Sequence, residues 1–164
     1  MYVLTCQMRA PSPIAETFAV FESPYNLARI TPASLKFRIT TREHVTLCKG
    51  AEIEYQIRWL GLPISWRTLI TEYEPPLFFE DEQAEGPYAV WRHRHSFEEV
   101  DDGTVISDRV EYALPLGALG RLAQHLLVGR QLRRIFQYRQ RALMQLLGGE
   151  ASLYGFSPVV ITAM

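Results

Sequence analysis

Polar and apolar positions alternate from the first residues. Tyr2, Leu4, Cys6 and Met8 fall on one face and Thr5, Gln7 and Arg9 on the other, which predicts an N-terminal strand. Pro11-Ser12-Pro13 stops it, with Ser12 suited to cap a helix and Pro13 to its first position. Ile14, Phe18 and Phe21 then recur at helical spacing. Ser23-Pro24 repeats the start signal, and a second short helix, Tyr25 to Ile30, is expected to end before Thr31-Pro32.

From Leu35 to Leu114 the period is mostly two. Leu35, Phe37 and Ile39 share a face, as do Ile53, Tyr55, Ile57 and Trp59, and then Ile64, Trp66, Thr68 and Ile70. Turns are expected at Leu60-Gly61-Leu62-Pro63, Pro75-Pro76, Glu85-Gly86-Pro87 and Asp101-Asp102-Gly103. Strands joined by short turns, with no helix between them, make an antiparallel meander. The period then changes. Leu119, Leu122, Leu126, Gly129, Leu132, Phe136, Leu143 and Leu147 follow helical spacing, so one helix of roughly 45 Å is expected over 118–147, at ~1.5 Å per residue. Gly148-Gly149 ends it. The expectation is an α+β domain over residues 1–148, a sheet curled around one long helix with a pocket where the two separate. Residues 149–164 are expected as a tail that docks weakly or not at all.

The Asp102-Gly103 hairpin sets a register. With Glu99 opposite Thr104, His95 faces Asp108, His93 faces Val110 and Trp91 faces Tyr112. Trp91, His93, His95, Phe97, Ile106, Asp108, Val110 and Tyr112 then point inward, and Arg92, Arg94, Ser96, Glu98, Ser107, Arg109 and Glu111 outward. The Gly86 turn is expected to bring Phe79 and Asp81 beside Trp91. An interior with two histidines, an aspartate and a tyrosine needs an explanation, because buried ionisable groups are costly unless paired. One reading is a satisfied structural network, with Asp108 accepting from His95. The other is a pocket whose few polar groups orient the head of a ligand.

Composition narrows the function classes. Apolar residues make up 48% and charged residues 21%, which fits a globular domain. With 17 Lys plus Arg against 18 Asp plus Glu, the net charge of -1 argues against nucleic acid as a partner. No apolar run reaches the ~18 residues of a membrane span, so stable membrane insertion is not expected and a cytoplasmic protein is the default. Cys6 and Cys48 lack metal-site spacing and read as buried free thiols. Residues 72–111 hold 12 of the 18 acids, while Arg121, Arg130, Arg133, Arg134, Arg139 and Arg141 line the long helix. That basic run reads as a solvated face, with a homodimer contact or an anionic surface as alternatives.

Catalytic motifs are scarce. His93-x-His95 on one strand face can supply two metal ligands, with Asp81 or Asp108 as a third, but no further motif points that way and no metal or cofactor is expected. His95 with Asp108 can act as an acid–base pair. There is no GxSxG nucleophile and no glycine-rich phosphate loop. Gly129 is a kink, a close helix–sheet contact, or room left for a ligand.

Pro24-x-Asn26-Leu27-x-Arg29-Ile30-Thr31-Pro32, Gly50 with Tyr55, and Trp66-x-Thr68 carry a family likeness. Asp81-Glu82-Gln83, Gly86-Pro87-Tyr88 and Trp91-x-His93-x-His95-x-Phe97 carry it further, followed by Asp108, Tyr112, Leu114-Pro115-x-Gly117 and Phe136-x-Tyr138-Arg139. On these the chain resembles the SRPBCC superfamily, helix-grip proteins related to START lipid-transfer domains and the birch-pollen allergen. More narrowly it looks like the bacterial branch labelled ligand-binding SRPBCC domain protein. The resemblance implies a seven-stranded antiparallel sheet around the C-terminal helix, with a hydrophobic cavity. The expected function is binding of a small hydrophobic or aromatic molecule by Trp66, Phe79, Trp91, His93, His95, Asp108, Tyr112, Leu126, Gly129 and Phe136. The alternative is a cyclase, dehydratase or hydrolase using His95 with Asp108. Fold analogy alone does not choose between them.

Overall fold

A computed structural model describes residues 1–41, 45–59, 61–149 and 155–164. Eight antiparallel strands form one sheet in the order β2-β3-β4-β5-β6-β7-β1-β8. They are β1 (Tyr2–Ala10), β2 (Arg38–Ile39), β3 (Glu52–Trp59), β4 (Leu62–Glu74), β5 (Phe78–Glu85), β6 (Val90–Val100), β7 (Gly103–Ala113) and β8 (Val160–Ala163). Helix α1 (Ile14–Glu22) and 3-10 turns at Pro24–Ala28 and Ala33–Leu35 follow β1. The long helix is a continuous run of α2 (Gly117–Ala123), a π segment (Gln124–Val128) and α3 (Gly129–Leu146). No helix among the described residues is long and apolar enough to cross a membrane.

The α+β helix-grip architecture is therefore as expected, with one strand more than the seven anticipated. The eighth comes from the C-terminal segment, which was expected to dock weakly or not at all. It returns to the sheet: β8 pairs with Tyr2–Thr5 of β1, Phe156 bridges to Met8, and Val159 is buried. Without it β1 would expose a row of unpaired backbone groups. The strand expected through Leu35, Phe37 and Ile39 shrinks to two residues. The turn at Ala33–Leu35 and the left-handed Lys36 (φ 44°) use the backbone otherwise. Ser12 does not cap α1; its hydroxyl donates to the Leu147 carbonyl at 3.0 Å and ties the chain to the end of α3. Cys6 is buried as expected, but Cys48 is exposed. Leu60, part of one expected turn, lies outside the described residues.

The β6–β7 register is the predicted one, His95 opposite Asp108 and Trp91 opposite Tyr112. Two packed clusters fill the concave side. Met8, Phe18, Ile53, Ile70, Phe97, Ile106, Leu143 and Met144 form one. Leu4, Cys6, Val110, Tyr112, Val128, Leu132 and Phe136 form the other.

The π segment changes which residues of the long helix face the sheet. Its wider turn shifts the inward side, so Gly120 ahead of it and Gln124 at its start are buried instead of Leu119, Leu122 and Leu126. Those three leucines are exposed.

Candidate functional site

Between sheet and long helix lies an apolar cavity of about 510 Å³. Tyr55, Ile57 and Trp59 of β3, Ile64 and Trp66 of β4 and Trp91 of β6 form its floor. Val128, Leu132, Ile135 and Phe136 form its roof, and Leu27, Leu35 and Phe37 close one side. The aromatic rings brace one another: Tyr55 stacks on Trp66 with centroids 5.9 Å apart, and Trp91 meets Trp66 edge-on at 5.3 Å. Leu116 and Leu119 belong to the lining although both are mostly exposed, which places the mouth at the start of α2.

Two donors in this apolar wall lack an acceptor. Trp66 Nε1 and Arg139 Nε are buried without a hydrogen-bond partner among the described residues. The Arg139 guanidinium lies 5.0 Å from the Phe136 ring centre. Arg139 was expected on a solvated helix face with its neighbours. It turns inward because Leu132, Phe136, Arg139 and Leu143 step at helical intervals along one side of α3. That spacing was legible in the sequence and is the signal that could have found it.

A smaller space of about 100 Å³ adjoins the cavity, sharing Leu27, Tyr55, Trp91 and Arg139 as walls. Asp81, His93 and His95 open onto it. Phe79 pairs with His95 and Asp81 with His93, four and two residues along β6 from the Trp91 position expected. His93 Nε2 is 3.0 Å from Asp108 Oδ1, and His95 Nδ1 is 2.9 Å from the same oxygen, though out of line for a hydrogen bond. Asp81 Oδ2 lies 3.7 Å from His93 Nδ1 and 3.5 Å from His95 Nε2. Cys6 Sγ approaches Asp108 Oδ2 at 3.7 Å, and burial pushes its thiol pKa up, which favours the protonated thiol.

Electrostatics separate the two histidines. Burial lowers the His93 pKa to about 4, and the neighbouring His95 adds to that. Burial would lower His95 as well, but its contacts to Asp108 and Asp81 outweigh it and hold its pKa above the ordinary value. Burial would raise Asp108, yet the two imidazoles hold it well below the usual carboxylate range.

Of the expected ligand-binding residues, Trp66, Trp91 and Phe136 line the main cavity. Phe79, His93 and His95 line the smaller space. Asp108 stands behind the histidines and lines neither, and Tyr112 is fully buried, accepting from Gln124 Nε2 at 2.6 Å. Burial pushes the Tyr112 hydroxyl up to about 12. Two expected positions lie away from the cavity. Leu126 is turned outward by the π segment. The missing side chain of Gly129 makes room for Gln124, whose amide nitrogen would stand 2.9 Å from an added Cβ, and not for a ligand.

No family model matches the sequence, and no curated protein matches it. Solved structures do. TTHA0849 from Thermus thermophilus superposes with a TM-score of 0.71 at 13% identity, over 88% of this chain and 96% of that one. Ginseng major latex-like protein 151 from Panax ginseng gives 0.64 at 12%, over 88% and 95%. A nucleoside-diphosphate sugar epimerase from Corynebacterium glutamicum gives 0.63 at 24%, over 88% of this chain but 29% of that much longer one. At these identities the likeness is one of fold alone, and it bears out the helix-grip architecture.

Proposed function

We propose, taking the SRPBCC helix-grip fold as premise, that this chain binds a small amphipathic molecule. An apolar or aromatic body, lipid- or polyketide-like, occupies the cavity, and a carboxylate or similar acceptor head meets Arg139 and Trp66. The observation that carries the reading is the pair of buried donors without acceptors in a largely apolar wall. Leaving such groups unmatched costs roughly 1–3 kcal/mol each, more for a charge, and a bound acceptor recovers it. A volume of about 510 Å³ suits a molecule of drug or fatty-acid size.

The alternative, an enzyme with His95 and Asp108 as acid–base pair, draws on their 2.9 Å contact. His95 opens onto the smaller space and not the main cavity, and Asp108 lines neither, so the geometry favours binding over turnover.

The test is tryptophan fluorescence during titration with 2-naphthoate and with the neutral 2-naphthalenemethanol. Saturable quenching by both, with the carboxylate bound about tenfold or more tightly, is expected from a charge-assisted contact. Equal affinities would remove the head-group assignment. No saturable binding of either would overturn the cavity reading.

A further inference from the structure

We propose that Asp81, His93 and His95 form a binding site for one divalent first-row transition-metal ion, with Asp108 orienting both imidazoles from behind. Each of the three offers a ligand atom, and these atoms all lie within 4.8 Å of one another. Asp81 Oδ2 is the common neighbour, 3.7 Å from His93 Nδ1 and 3.5 Å from His95 Nε2. Metal–ligand bonds of about 2.0–2.2 Å require donor separations of roughly 3.0–3.5 Å. Drawing donors that lie within 4.8 Å of one another to that spacing takes side-chain adjustments on the order of 1 Å.

The strands supply the arrangement. His93 and His95 are two apart on β6, hence on one face, and Asp81 on β5 is directly opposite His93. Asp108 on β7 reaches both rings from the other side. The His93 Nε2 hydrogen bond to Asp108 leaves His93 Nδ1 as a bare lone pair on the Asp81 side. His95 turns its Nδ1 toward Asp108 in the same sense and presents Nε2 toward Asp81. With His95 deprotonated, three acceptor atoms converge, and a metal ion bound there takes the place of the proton that His95 otherwise shares with Asp81. A single proton bridges one such contact; a metal ion satisfies all three. Carboxylate behind imidazole is also the usual outer support of a histidine-bound metal.

The rings are held by packing. Phe79 stacks on His95 with centroids 4.3 Å apart, and Phe136 meets His93 edge-on at 5.5 Å. Two carboxylates balance one divalent charge with both imidazoles neutral. Two histidines and one carboxylate leave coordination positions open toward the space of about 100 Å³.

The test is a Co²⁺ titration of the metal-free full chain, followed by visible absorption and checked with Zn²⁺ by calorimetry. One equivalent should bind and give ligand-field bands. Asp81→Asn, His93→Gln and His95→Gln should each weaken binding about 100-fold or more, and Asp108→Asn about 10–100-fold, as expected of an outer partner. His125→Gln, at an exposed position of the π segment, should change nothing. No bands and no heat in the wild type would overturn the site. So would binding that survives in the His93→Gln, His95→Gln double variant, which would place the ion elsewhere on the chain. Should a histidine variant lose its circular-dichroism signature, Asp81→Asn, at a partly exposed residue, decides the matter together with the wild-type titration. Naphthoate binding by Trp66 and Arg139 is read separately, so the two proposals fail independently.

Discussion

His93 Nε2 lies 3.0 Å from Asp108 Oδ1, across a diagonal of the β6–β7 ladder in which Asp108 directly opposes His95. One carboxylate therefore serves two imidazoles, and the opposite pKa shifts of the pair have opposite consequences for stability. In metal-free protein, an unfolded chain takes up a proton at position 93 near the ordinary histidine value of about 6.5, whereas the folded chain does so only at about 4. Stability should fall as pH drops through that window, at up to ~1.4 kcal/mol per pH unit. His95 has the other sign. Its folded pKa is raised, so its contribution is complete below about 6.5 and is lost as pH rises through the folded value. Asp108 contributes above its ordinary range and is lost only as pH falls through its depressed value. Urea unfolding in EDTA should therefore show a maximum near pH 6.5. His93→Gln should flatten the acid limb between about 6.5 and 4, and His95→Gln the alkaline one. An acid limb unchanged in His93→Gln would contradict this assignment.

Much of this network is legible in the sequence, because the Asp102-Gly103 hairpin fixes register and a period of two fixes facing. That suffices to put His93, His95 and Asp108 inside. The helix is less legible. Its leucines at 119, 122 and 126 match a regular α-helix, but the π segment adds a residue that no local propensity announces, and all three are left largely exposed, Leu119 at the cavity mouth. Arg139 shows the converse. Composition assigns it to a charged surface, while its place between Phe136 and Leu143 puts it in the cavity wall. The C-terminal strand escapes the pattern because Val160–Ala163 is short and its partner, the β1 edge, lies at the far end of the chain.

Gly103 closes that hairpin with φ 143°, and an added Cβ would overlap the Ala10 carbonyl oxygen. Gly103→Ala is expected to destabilise by about 3 kcal/mol or more, since neither backbone can retreat without breaking the β1–β7 ladder. Gly61, at φ 82° with nothing near its Cβ position, is the control: Gly61→Ala should cost only about 1–2 kcal/mol of backbone strain. Thermal melts of both variants read the difference. Equal losses would mean that the Ala10 contact is of no consequence.

Removing residues 155–164 deletes β8, which pairs with Tyr2–Thr5, and takes Val159 out of the cluster that holds Leu4 and Cys6. The Gln140 amide also loses one of its two acceptors, the Ser157 carbonyl at 3.2 Å. Burial of one such side chain with its neighbours is worth roughly 2–4 kcal/mol, and that is the expected fall in unfolding free energy. The bared β1 edge should pair between copies, so size-exclusion chromatography should show concentration-dependent association. A truncated chain as stable and as monodisperse as the full one would show that β8 adds nothing.

Arg139 separates stability from ligand binding. With no anion bound it is a charge facing an apolar cavity, held by the Phe136 ring and unpaired at Nε. Arg139→Met keeps the length and apolar stem of the side chain and removes the charge. Because a half-buried guanidinium with an unpartnered Nε is costlier against an apolar cavity than a thioether, the variant should unfold at equal or higher urea, by up to about 2 kcal/mol. Its affinity for 2-naphthoate should fall about 10–100-fold, the worth of a hydrogen-bonded charge, while 2-naphthalenemethanol binds as before or better. Trp66→Phe should lower naphthoate affinity by a smaller factor, since a neutral donor is lost and the ring stack with Tyr55 is kept. A destabilised Arg139→Met that still binds naphthoate normally would assign the arginine to the architecture of the fold and take the head group of the ligand away from it.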